Sequence, residues 1–333
     1  MDVSMYQKMR IGIVHFKAFP GIETGVGPIV ETLEKICADD FFTAVEVGWM
    51  KDYRVRNTAR HLLDQSHLSV AYATQPKVLS NKFNLNSFDV RERATAIDAI
   101  KSSVDEARQL GAEVVRLIAG KDPGDEKRDE AKKLLIDSIS QIMDYAAEDD
   151  DGLQFTLKIF DRDIDKKNLI GHVGDAVDVA KALRPSYPNF GLLTDLSHFP
   201  LLDEDPDVSI PMMADYLEAV HLGNCAFRDK SHPAYGDIQP RFGVPGGETD
   251  LPEVTSFFRA LTKNGFFDKP ERPVVSAEVR PVLAGEISEI IIANAKRVIR
   301  DAWALSQLPE ADTEASLQTR RGSRLAQKKP QLA

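Results

Sequence analysis

Three residues of this sequence have the types and positions of a site that binds a cation or moves a proton: Asp195, His221 and Glu278. Each closes a short apolar run, Asn189-Phe-Gly-Leu-Leu-Thr-Asp195, Leu217-Glu-Ala-Val-His221 and Val274-Val-Ser-Ala-Glu278. A buried strand that delivers its first polar side chain at its C-terminal end is how a parallel α/β protein assembles a site. Carboxylate oxygens and imidazole nitrogen in this mix suit a divalent ion such as Mn, Mg, Co or Zn. Taken singly, each residue has a plainer explanation, because strand-end acids often cap helices and lone histidines often sit hydrogen-bonded in a core. The coincidence of three successive strand ends carries the metal reading.

The elements that must position these residues recur along the chain. Strand-type apolar runs start near Ile11, Phe42, Leu68, Glu113, Leu153, Asn189, Leu217 and Pro273, and helices fit between them. Ala131, Leu134, Leu135, Ile139, Ile142, Met143 and Ala146 have the spacing of one buried helical face. Ser87 to Leu110 reads as a helix capped by Ser87 and stopped at Gly111. Ile287, Ile290, Ile291, Ala295, Val298, Ile299 and Ala302 mark the last helix. The alternation predicts an α/β protein of the (β/α)8 TIM barrel type over residues 8–305, followed by a disordered tail over 306–333. A Gly- and Pro-rich insertion, Gly223 to Asp250, follows the seventh strand, and a loop of that length is expected to serve as a lid or binding loop.

Alternation along barrel strands sorts inward from outward residues. It places Glu278 with Val274 and Ser276, His221 with Ala219, Asp195 with Gly191 and Leu193, Glu46 with Ala44, and His15 with Ile13. On the fifth strand Gln154, Thr156 and Lys158 share a face, which points Lys158 into the barrel mouth. His198, Arg228 and Glu46 are candidates for orienting a substrate, with His15 and, in the insertion, His232. The Gly243-Val-Pro-Gly-Gly-Glu248 turn is a weak phosphate-loop signal and a better tight turn.

A net charge of −10 argues against a nucleic-acid partner. No run approaches the roughly 18 apolar residues of a membrane span. Two cysteines, Cys37 and Cys225, make no disulfide framework. Met1 to Tyr6 lacks a leader pattern, and the expected location is cytoplasmic.

At these residues the chain resembles the sugar phosphate isomerase/epimerase family, the xylose-isomerase-like barrels that include ketose 3-epimerases. The resemblance covers about residues 8–305. It rests on Val45-Glu46-Val-Gly, Ala73-Thr-Gln75-Pro76, Asp195-Leu-Ser-His198, Val220-His221-Leu-Gly-Asn, Ser231-His-Pro-Ala-Tyr-Gly236 and Ser276-Ala-Glu278-Val-Arg-Pro281. It implies a divalent metal held by Glu, Asp, His and Glu from the fifth to eighth strands, positions that fall on Lys158, Asp195, His221 and Glu278. It also implies substrate contacts by His198 and Arg228. Lys158 departs from the pattern, since an ammonium does not donate to a metal. Three outcomes follow: a metal on the remaining three ligands, Lys158 in the ion's place, or Lys158 as base or Schiff-base nucleophile.

The function implied is a sugar or keto-sugar isomerase or epimerase working through an enediolate, with Glu278, Lys158 and His198 as catalytic residues. Loss of the second glutamate leaves two alternatives. One is a lyase acting on a 3-oxo-glycoside or polyhydroxy acid; the other is a non-catalytic barrel that has lost its metal. The expected partner is a small carbohydrate, with a homo-oligomer or a complex with a related subunit as the assembly. The family's zinc-cluster endonucleases need many histidine ligands, and the seven present here are mostly misplaced for such a cluster.

Overall fold

The computed structural model describes residues 4–149, 152–309 and 313. Eight parallel strands close into a barrel in sequence order: β1 (Arg10–Val14), β2 (Ala44–Val47), β3 (Ser69–Ala73), β4 (Val114–Leu117), β5 (Gln154–Lys158), β6 (Phe190–Asp195), β7 (Leu217–Gly223) and β8 (Val274–Glu278). Helices follow the strands, so the fold is the (β/α)8 barrel that the alternation predicts. All strands run the same way, which gathers their C-terminal residues at one mouth. The register aligns Asp195 with His221 and His221 with Ser276 across β6, β7 and β8.

The barrel interior is divided by chemistry. At its lower end Ala44, Leu193, Ala219 and Val274 form a small apolar layer, apart from the main core between sheet and helices. Above it the inward residues turn polar: Glu46, Arg116, Thr156, Lys158, Asp195, His221, Ser276 and Glu278 are all buried. Gly12 makes this layer possible. A Cβ at residue 12 would lie 2.5 Å from Ser276 Oγ and 3.4 Å from Ala44 Cβ. Gly12→Ala is therefore expected to destabilise the barrel by about 1–3 kcal/mol through overpacking. Urea unfolding with the midpoint unmoved would show that the layer yields freely.

Two helical expectations are corrected. The helix expected from Ser87 runs Val90–Gln109, and Asp89 is its cap, accepting from Arg91 N and Glu92 N. Ser87 stands just outside, where its Oγ accepts from Asp89 N and donates to Glu92. The last helix is Ser288–Ser306, and Ile287 and Ile290 are exposed (58% and 62%). Ile287 is the N-cap, and Ile290 falls beside the face made by Ile291, Ala295, Val298, Ile299 and Ala302. The expected tail lies, past residue 309, outside the described residues except for Thr313, which is buried and donates to Leu305 O at 3.1 Å. Among the described residues no helix is long and apolar enough to cross a membrane.

Candidate active site

The site is built around Lys158, the last residue of β5. Its ammonium donates to Glu278 Oε2 and stands 3.1 Å from His221 Nδ1 and 3.2 Å from Asp195 Oδ2. Burial pulls this lysine's pKa down, but Glu278, Asp195 and Asp237 together hold it above the ordinary value, so it is charged. Glu278 is the counterpart: burial raises its carboxyl, and Lys158, Lys17 and His221 outweigh that and hold it well below the usual carboxylate range.

His221 bridges two acids, with Nδ1 2.5 Å from Glu278 Oε2 and Nε2 2.8 Å from Glu46 Oε1. A ring facing a carboxylate at each nitrogen is best satisfied as imidazolium, donating both ways. Burial lowers its pKa, but Glu46 and Glu278 reverse this and the net shift is upward. Glu46 has its oxygens taken by His221, by Ser276 Oγ at 2.7 Å and by Arg116 Nε at 3.0 Å. Burial pushes its carboxyl up, and Arg116 and His221 more than offset it, to about 2.

The insertion after β7 supplies the roof. Gln239 Nε2 donates to Asp195 Oδ2 (3.1 Å), Ser197 Oγ (2.9 Å) and Asp237 Oδ1 (2.6 Å). Gln239 holds φ at +65°, a left-handed conformation uncommon outside glycine, and its main-chain oxygen accepts from Arg280 N at 2.7 Å. Lys166, from the loop after β5, ties Asp237 down through its main-chain oxygen and Oδ2, both at 3.1 Å. His198, in the short helix after β6, is 1% exposed, and neither ring nitrogen has a hydrogen-bond partner. Its Nε2 lies 3.8 Å from Asp237 Oδ1, and its ring meets Phe160 edge-on at 5.0 Å. Glu278 Oε1 and Gln239 Oε1 are likewise buried without a hydrogen bond.

Asp195, His221 and Glu278 each offer a ligand atom within 4.8 Å of the others, the spacing of a three-donor metal site. Lys158 sits among those atoms, and both His221 nitrogens face carboxylates. As arranged, the donors fit an ammonium and do not fit a divalent ion.

Not every residue singled out from the sequence reaches this cluster. Arg228, 75% exposed at its side chain, forms a bidentate pair with Glu248 at 2.7 and 2.8 Å. His232 spends its nitrogens inside the insertion, on Pro245 O and Ala234 N. His15 belongs to the outward parity of β1, because Gly12 is the inward residue, and it begins a helical turn (His15–Ala18). Its Nε2 is 2.8 Å from Thr32 Oγ1, whose hydrogen goes to Pro28 O, so His15 is the donor.

Burial lowers the His15 pKa to about 3. The folded chain thus refuses a proton that the unfolded chain accepts near the ordinary value of about 6.5. Stability from this group is complete above that value and is lost as the pH falls toward 3. Wild type is expected to lose stability more steeply than His15→Gln between neutral pH and pH 4. Equal slopes in urea unfolding would refute it.

Sequence reasoning missed Lys17, Arg116, Asp237 and Gln239, and it placed Ser276 inward without giving it a role. Arg116 left a signal, as the one charge in Val114-Val-Arg116-Leu-Ile. Asp237 and Gln239 lie in an aperiodic loop and left none.

Two cavities frame the barrel. One of about 410 Å³ at the mouth is lined by Phe83, Ile118, Gly120, Phe160, Lys166 and Asn168. Phe160 is its wall toward the charged cluster, with Lys158 Nζ 4.9 Å from the ring centre. A larger one, about 470 Å³, lies among strand starts such as Arg10, Ala44, Ser69 and Val274. The mouth cavity is the relevant one, because barrel chemistry gathers at the C-terminal ends of the strands.

A family model described as xylose isomerase-like TIM barrel matches residues 35–290. A search of curated protein sequences finds no match. Among solved structures the chain is similar to a D-tagatose 3-epimerase-like protein, with 16% identity, TM-score 0.66 and coverage of 90% of this chain and 98% of that one. It is similar to a D-allulose 3-epimerase from Methylomonas sp. (18%, TM-score 0.64, 89% and 98%). It is also similar to IOLI protein with a binding zinc atom (17%, TM-score 0.66, 89% and 98%). At these identities the likeness is one of fold.

Proposed function

Given that the chain belongs to the xylose isomerase-like TIM barrel family, we propose that it is an enzyme of isomerase or epimerase type, taking a proton from the carbon beside a carbonyl in a small sugar or keto-sugar. The observation that carries this reading is the set of buried polar atoms left without hydrogen bonds at the barrel mouth: both nitrogens of His198 and Gln239 Oε1. Each buried unpaired group costs about 1–3 kcal/mol. A ligand bearing hydroxyls and a carbonyl answers all of them at once. The solved ketose 3-epimerases of the same fold point to the same substrate class.

The proton chemistry is assigned to His198. Its Nε2 lies 3.8 Å from Asp237 Oδ1, and neither ring nitrogen is engaged in a hydrogen bond, so the ring is free to meet a substrate proton. Glu278 is a weak base while three cations surround it, and it serves to hold them in place. Negative charge on the former carbonyl oxygen is met by the ammonium side of the cluster. With Lys158 where a second glutamate would stand, proton return by a different carboxylate on the opposite face is not available, so one group takes and returns the proton.

The same missing carboxylate favours a second reading, β-elimination after the same deprotonation. One experiment addresses both. A panel of ketoses and 3-oxo-glycosides is incubated in deuterium oxide with the purified protein and followed by NMR and ultraviolet absorption. Deuterium at one carbon supports the first reading; an enone with release of water or an aglycone supports the second. Neither signal from any compound would leave a non-catalytic barrel.

A further inference from the structure

Glu278 is bracketed by two lysines, one on each oxygen. Lys158 takes Oε2, while Lys17, from the helical turn after β1, places its Nζ 3.3 Å from Oε1. That second contact is an ion pair outside hydrogen-bonding geometry, since Oε1 has no hydrogen bond. Lys17 is 7% exposed overall, and among the described residues its Nζ makes no hydrogen bond. It thus has donor capacity toward the mouth. Lys158, by contrast, is committed to two carboxylates, Glu278 and Asp195, with the His221 ring filling a third side.

We propose that the cation of this site is built into the chain as two lysines: Lys158 fills the position between Asp195, His221 and Glu278 that a divalent ion would take, and Lys17 supplies the second positive charge and the N–H donors that meet an anionic substrate oxygen. Two ammonium groups carry the same total charge as one divalent ion, and here they are divided between the two oxygens of a single carboxylate. The division has a chemical purpose. A metal ion both neutralises its ligands and polarises the substrate; Lys158 does the first and Lys17 the second. The arrangement also excludes the ion, because an added dication would face Lys158, Lys17 and a histidine whose nitrogens both serve carboxylates. The role of Lys17 rests on the enediolate reading above; that of Lys158 does not.

The two halves are tested separately. For Lys158, the full-length protein is dialysed against Mn²⁺, Co²⁺ or Zn²⁺, its metal content is measured, and Co²⁺ binding is followed by visible absorption. Wild type is expected to keep far less than one ion per chain, and Lys158→Glu to gain one equivalent. Circular dichroism establishes that the variant is folded. Should it not fold, Lys158→Gln, which removes the charge and leaves the three donors, is expected to bind Co²⁺ where wild type does not. Wild type holding one ion per chain, or a folded variant no better than wild type, overturns the assignment.

For Lys17, Lys17→Met is expected to lower kcat by about 10²–10³-fold, the cost of one donor to a developing oxyanion. KM should change little, because the charge it meets exists only in the transition state. Lys17→Arg should recover part of the loss. A Lys17→Met enzyme with kcat intact, or with the loss confined to KM, refutes the role. A wild type inert toward every ketose and 3-oxo-glycoside removes the substrate oxygen, and with it the role of Lys17, while the metal measurement still decides Lys158.

Discussion

Lys158→Met is expected to lower the free energy of unfolding by about 3–5 kcal/mol, the cost of leaving buried charge without its partner. The ammonium is 2% exposed and lies between two carboxylates that are themselves fully buried. Without it Asp195 and Glu278 face one another across a site whose remaining cations, Lys17 and His221, reach mainly Glu278. The deficit should depend on pH with a definite sign. In the variant Glu278 loses the largest of the cations that hold its carboxyl down, so it takes up a proton in the folded state more readily and the penalty shrinks as pH falls toward the ordinary carboxylate range. Adding Asp195→Asn and Glu278→Gln should restore part of the loss, since the unpaired charge is then gone. Urea unfolding of the single and triple variants at pH 7 and pH 4 checks this. A single variant as stable as wild type at neutral pH would mean the ammonium does not hold the cluster together.

His198→Gln is expected to do the opposite: a large loss of turnover with little loss of stability. A proton-transfer group typically contributes about 10²–10⁴-fold. The ring has no hydrogen bond to lose, because both nitrogens are unpartnered in the closed site. Its packing against Phe160 is the part a glutamine gives up, and the expected change in unfolding free energy is no more than about 1 kcal/mol. Measured side by side, kcat should collapse while the urea midpoint hardly moves. A kcat within a few-fold of wild type would remove His198 from the chemistry, and a large stability loss would make it a core residue.

These two residues show what a sequence of this kind makes legible. Strand starts could be read because apolar runs of five or six residues end abruptly in charge, and the inward parity of β2, β5, β6, β7 and β8 followed from alternation alone. Parity was less useful on β1. There the inward residue is Gly12, which carries no side chain to announce itself, and the chain leaves strand geometry at His15. Lys17 was hidden for the same reason, being placed by a turn and not by alternation. Asp237 and Gln239 depend on the path of an irregular insertion held by contacts 42 to 72 residues away in sequence. Such long-range contacts have no local signature. Arg228 and His232 illustrate the converse, since residue type made them candidates while the path of the same insertion turned them onto Glu248 and Pro245.

The left-handed backbone of Gln239 gives that insertion a mechanical character. Its side chain reaches Asp195 only while its main chain stays in a posture that glycine would adopt freely. The main chain at this residue is held in its own right, since Arg280 N donates to Gln239 O at 2.7 Å. A residue other than glycine in that posture carries a cost of about 1–3 kcal/mol, so the insertion gives up stability at a residue whose amide joins Asp195, Ser197 and Asp237.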